Sequence, residues 1–179
     1  MANSIYYSLE SVAHGQAFDE VVVEADKDYS LGQIVRAVDG YTTTVGGVTA
    51  TNYGAGEFIY LKGVASTVEG SVVLYNPDDY TTSLATANDV GPIAVAMAAC
   101  VADRFGWYQI SGKGVAKVLA SFADNGDCYL TSTAGSVDDA DVGGDYIAGM
   151  KGASAIGTPS AGLAEVELWR PSVADGKDD

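Results

Sequence analysis

The chain has 179 residues, with 24 acidic and 9 basic side chains and a formal net charge of −15. That length allows one domain that removes about 70% of its extended surface from water, so no disulfide or metal is needed to staple the fold. No cluster of Lys or Arg stands along the chain, which argues against nucleic acid and anionic membrane surfaces as partners, because both demand a basic face.

The 22 Gly and 11 Tyr against only 3 Met, with abundant Ala, Val and Thr, suit many short strands joined by tight turns and predict an all-β protein. Residues 1–19 hold Tyr6, Tyr7, Leu9, Val12 and Phe18 without a sustained period, and read as an extended arm or a loosely docked first strand. They carry neither a basic n-region nor an apolar h-region, so the expectation is synthesis and folding in a cytoplasm. Regular signals begin at Glu20. The run EVVVE is a short strand, and residues 31–39 alternate Leu31, Gln33, Val35 and Ala37 against Gly32, Ile34, Arg36 and Val38 before an Asp39-Gly40 turn.

Residues 41–55 are rich in Thr and Gly, with Gly46-Gly47 a turn between short strands. Residues 57–62 and 72–75 are strands, and Asn76-Pro77-Asp78-Asp79 breaks the second of them, since Pro donates nothing to a ladder. Residues 76–91 form the longest polar loop. Residues 92–102 carry small and apolar side chains in both registers, a strand covered on both faces and too short to cross a bilayer. Residues 105–111 alternate next, and Gly112-Lys113 reads as a two-residue turn returning along residues 114–120. That hairpin sets Ile110 opposite Val115, Tyr108 opposite Lys117 and Trp107 opposite Val118.

Asp124-Asn125-Gly126-Asp127 is a further turn, residues 128–131 a strand, and residues 136–145 a second acidic loop. Residues 146–155 and 163–169 supply the last strands, and the polar tail from Pro171 to Asp179 is expected to fray. Strands at roughly ten-residue spacing predict one sandwich or barrel domain over residues 20–170, with no internal repeat.

Chemistry-bearing constellations are sparse. His14 is the one histidine and lies beside a glycine in the weakly patterned N-terminal segment, which reads as a surface position rather than part of a triad. Cys100 and Cys128 have no metal-ligand or redox spacing and read as buried reduced thiols, a disulfide requiring adjacent strands. Asp138, Asp139, Asp141 and Asp145 bunch around Gly143-Gly144. An EF-hand is excluded because the position that needs Glu, counted from Asp139, is Met150, and a solvated acidic loop outweighs a looser cation site. Glu165 and Glu167 share one strand face, as paired glycosidase carboxylates might, but the same alternation builds an ordinary wet face. Neither a catalytic set nor a metal or cofactor site is expected. Tyr6, Tyr7, Tyr60, Tyr75, Tyr80, Trp107, Tyr108 and Trp169 are the candidates for an interface, and Tyr41 and Tyr53 share their potential to stack on a sugar or anchor a protein contact.

The run GPIAVAMAACVADRFGWYQISGKGVAKV, the stretch ASFADNGDCYLTSTAGSVDDA and the closing GLAEVELWRP resemble small virion proteins of tailed bacteriophages, of the capsid decoration or cement kind. The likeness covers residues 57–171 and lies in texture rather than in a catalytic signature. It implies a β-barrel or jelly-roll-like body, assembly as a homotrimer, and a place on the capsid exterior bridging copies of the major capsid protein, without enzymatic activity. A carbohydrate-binding or receptor-binding module of a head or tail fibre is the alternative.

Overall fold

A computed structural model describes residues 6–8, 29–39, 44–45, 48–49 and 53–174. The described residues contain thirteen strands and no helix. These are β1 (Tyr6–Ser8), β2 (Ile34–Asp39), β3 (Thr44–Val45), β4 (Val48–Thr49), β5 (Ala55–Lys62), β6 (Val72–Tyr75), β7 (Thr82–Leu84), β8 (Gly91–Ala96), β9 (Phe105–Lys117), β10 (Asp127–Leu130), β11 (Val137–Asp138), β12 (Tyr146–Gly152) and β13 (Leu163–Val173). The all-β class expected from composition and alternation is the observed one. Strands β3 and β4 pair with each other on either side of Gly46-Gly47, while the EVVVE run, His14 and Tyr41 lie outside the described residues.

Eleven strands form one antiparallel sheet in the order β1-β2-β5-β9-β8-β13-β12-β10-β11, with β6 against β8 and β7 against β6. The sheet stays open, so of the two architectures expected it is the sandwich and not the barrel that describes it. The two halves meet through their apolar faces. Val72 and Val95 from one half share the largest core cluster with Ala116, Met150, Ala164, Val166 and Leu168 from the other.

Strand β9 joins the halves, and here the expected hairpin is corrected. Gly112 is not a turn: β9 continues unbroken from Phe105 to Lys117. Its first part pairs with β5, Ile59 facing Tyr108 and Tyr60 facing Trp107, and its second part pairs with β13, Val115 facing Glu165 and Lys117 facing Leu163. Ile110 is the extra residue of a β-bulge opposite Glu57 and Phe58, and Gly112 takes φ 94° with its Cα so close to β5 that a Cβ would stand 2.5 Å from the Ala55 carbonyl oxygen. A glycine flanked by alternating residues signals a bulge as readily as a hairpin. The Gln109 side chain holds the bend, its Nε2 donating to the carbonyls of Ser111 (3.1 Å) and Lys113 (2.9 Å).

Three other expectations shift at their edges. Strand β8 ends at Ala96 rather than Ala102, because the chain turns away through Cys100, whose backbone and sulfur pack on Gly63 where no Cβ fits. The polar loop 76–91 contains β7, a three-residue strand of Thr, Ser and Leu too short and polar to announce itself. Strand β13 runs on through Pro171 to Val173, both buried, so the fraying expected from Pro171 does not begin there.

Candidate functional site

Alternation along β13 sends Ala164, Val166 and Leu168 into the core and Glu165, Glu167 and Trp169 to the opposite face. On β9 the matching outward residues are Ser111, Lys113, Val115 and Lys117, with Gly114 and Ala116 inside. Register then assembles rows of side chains across four strands. Arg36, Glu57, Ser111 and Trp169 stand in one row, and Lys113, Glu167, Lys151 and Asp127 in the next. The second row alternates in sign along its length. Lys113 Nζ lies 2.7 Å from Glu165 Oε2 and 5.7 Å from the Tyr53 ring centre, and Lys151 Nζ lies 3.9 Å from Asp127. With Lys117 and Arg170, this face gathers five of the seven Lys and Arg among the described residues, against four carboxylates. In a chain of net charge −15, the acidic excess therefore lies elsewhere.

A second bulge aims Arg170. Between the pairs Met150 with Leu168 and Ala148 with Ser172, Gly149 alone faces Trp169, Arg170 and Pro171. Arg170 has φ 49° and Gly149 φ 78°, and a Cβ on Gly149 would stand 2.8 Å from the Trp169 carbonyl oxygen. Pro171 has no N–H to lose where the ladder is interrupted. Redirected in this way, Arg170 places Nη2 at 2.9 Å and Nε at 3.0 Å from Glu57 Oε2, while Arg36 Nε donates to Glu57 Oε1 at 3.1 Å. One carboxylate on β5 thus holds two guanidiniums, one from the adjacent strand β2 and one from β13 beyond β9. Burial opposes ionisation of Glu57, but the hydrogen bonds of Arg170 and Arg36, with their charges, outweigh it and bring its pKa below the ordinary value. Trp169 sits beside this clamp, 58% exposed.

The other aromatic candidates are distributed differently. Tyr60, Trp107 and Tyr108 are interior residues, 2%, 7% and 0% exposed, which corrects their expected place at an interface. Tyr60 and Trp107 pack with centroids 5.1 Å apart, each about as close to Tyr29, in a cluster with Phe58 and Val35. The Tyr108 hydroxyl is enclosed near the side chains of Cys100, Thr82 and Thr67, and burial raises its pKa. Tyr75 and Tyr80 are half-buried against the cluster that contains Tyr108. Tyr6 and Tyr7 belong to β1, facing Asp39 and Val38 in the register, and their side chains lie outside the description.

The acidic residues are largely committed to the fold. Asp145 is 2% exposed and accepts the Asn88 N–H at 2.6 Å, which ties two loops together and corrects its reading as a solvated loop carboxylate. Asp139 accepts the Ala123 N–H at 3.0 Å, and Asp138 accepts that of Asp139, with burial raising the Asp138 pKa. No three His, Cys, Asp or Glu among the described residues are grouped to hold a metal ion. Glu165 departs from the wet-face reading, since it is 6% exposed beneath Lys113, whereas Glu167 is open to water. Cys100 and Cys128 are free and buried in different clusters, and burial raises both thiol pKa values, that of Cys128 to about 12.

Arg36, Glu57, Lys113 and Arg170 escaped the sequence reading. Their one legible signal was opposite charge on residues of matching strand parity, and that signal has meaning only once β5, β9 and β13 are known to be neighbours. No protein-family model and no curated protein sequence matches the chain.

Proposed function

We propose that the chain is a structural protein of the virion that docks on the outer surface of an assembled bacteriophage capsid and stabilises it as a homotrimer, after synthesis in the bacterial cytoplasm. The observation that supports this reading is the outer sheet face. It is a charge-alternating surface on strands paired along both edges, with Trp and Arg side chains exposed on it, and those residue types dominate the energetics of protein contacts. The sequence texture of residues 57–171 points to the same class of protein. The small-residue strand β8 supplies no argument for a trimer, because Ile93 and Val95 on one face and Ala94 and Ala96 on the other are buried in core clusters of the same chain.

The test is to add the protein to capsids assembled without it and measure co-sedimentation, copy number and resistance of the shells to heat. Saturable binding of many copies with delayed shell rupture is the expected result. The fibre-module reading draws on one observation, the exposed indole of Trp169, which offers a face for stacking a sugar ring. Specific binding on a glycan array, with no binding to shells, would favour that reading instead.

A further inference from the structure

We propose that the clamp of Arg36, Glu57 and Arg170, together with Trp169, is a receptor for a carboxylate on the partner protein, presented beside an apolar side chain that lies on the indole. This rests on the docking function above and specifies its chemistry. Both oxygens of Glu57 are already taken by the guanidiniums, so two cations share one anion and the clamp retains a positive charge. The Arg36 and Arg170 side chains are 69% and 61% exposed. Arg36 engages Glu57 through Nε, which leaves its two terminal amino groups, and Nη1 of Arg170, without a partner among the described residues.

Those free N–H groups belong to rigid planar forks, the geometry that takes a carboxylate through parallel hydrogen bonds. Glu57 holds the two forks in place before any partner arrives, so little side-chain freedom is lost on binding. Charge selects the occupant. Elsewhere this chain of net charge −15 repels an acidic partner, whereas here basic side chains outnumber acidic ones and the neighbouring Trp169 supplies the apolar contact area.

The experiment uses the full-length protein and capsid shells lacking it. Shell affinity is measured by co-sedimentation across a salt series for the wild type, Arg36→Ala, Arg170→Ala, Arg170→Lys, Trp169→Ala and the remote control Lys62→Ala. The wild type is also tested on shells whose carboxylates have been amidated with a carbodiimide and an amine. Circular dichroism and thermal melts establish that each variant is folded, and Arg36→Glu serves if Arg170→Ala is not.

Expected are losses of about tenfold or more for Arg170→Ala and Trp169→Ala, the range of interface hot spots. Arg170→Lys should give incomplete rescue, affinity should fall as salt rises, and amidated shells should fail to bind. Undiminished binding to amidated shells, or wild-type affinity in the folded clamp variants, overturns the carboxylate receptor while leaving shell docking intact. Failure of the wild type to bind shells overturns both. Loss of self-association in the same variants, with shell binding unchanged, assigns the face to a second copy and also overturns the proposal.

Discussion

Trp107 and Trp169 lie on the two strands at the centre of the sheet and serve opposite purposes. Trp107 is 7% exposed and forms a triangle of rings with Tyr29 and Tyr60, its ring centre 5.1 Å from each. Trp169 is 58% exposed on the outer face beside two arginines. One indole contributes to the stability of the fold and the other to what the fold presents. The difference comes from layering: the Trp107 side of the sheet is covered by Tyr29 and Leu31, and the Trp169 side carries ions that keep their water.

Truncating the two tryptophans should separate them most sharply. Trp107→Ala is expected to lower unfolding free energy by about 3–5 kcal/mol, as large-to-small core changes do. Trp169→Ala should stay within about 0.5 kcal/mol, the range of surface substitutions. Denaturant titrations of both variants measure this, and equal losses would mean that Trp169 is part of the core.

A glycine on the inner side of β9 offers the next largest effect. The Gln109 side chain fills the space that a Cβ on Gly114 would need, and its two hydrogen bonds to the Ser111 and Lys113 carbonyls resist displacement. Gly114→Ala should therefore cost about 1–3 kcal/mol by overpacking. Ser111→Ala, on the outer side of the same strand, should cost about 0.5 kcal/mol or less. Thermal melts of the pair decide whether the bend at Gln109 is held as tightly as its geometry implies.

Interior and surface also differ in reactivity. Both thiols are buried with raised pKa values, so a thiolate reagent at pH 8 should label neither cysteine in the folded protein and both after unfolding in denaturant. Fast labelling of the native state would place one of them at the surface.

The smallest effect belongs to the clamp. Because the folded pKa of Glu57 lies below its ordinary value of 4.5, its contribution to stability is present above that value and disappears as pH falls through the lowered one. Each of its exposed ion pairs is worth about 0–1 kcal/mol, so the acid-side drop should be shallow. Glu57→Gln should remove that increment, leaving a flatter stability profile between about pH 5 and about pH 2. An unchanged acid profile in Glu57→Gln would show that the arginines are not held by this carboxylate.

Period-two alternation, recurrent turn residues and the scarcity of helix-favouring patterns were enough to determine an all-β chain from its sequence. Most of the strands found within residues 31–75 and 128–169 stand close to where that alternation places them. Pairing was decided only by the tertiary structure. Glu57, Ser111 and Trp169 form one row although more than fifty residues separate each from the next, and nothing local to any of them reports that contact. Burial followed from tertiary packing: alternation divides a strand into two faces but is silent on which face other residues will cover, so Tyr60, Trp107 and Tyr108 were indistinguishable from Trp169 until Tyr29 and Leu31 lay against the first two and Val73, Ala94 and Cys100 against the third. The same holds for Gly112 and Arg170. A positive φ is legible as a possibility in a glycine and invisible in an arginine, and in both cases it is the neighbouring strand that turns the local conformation into a bulge rather than a turn.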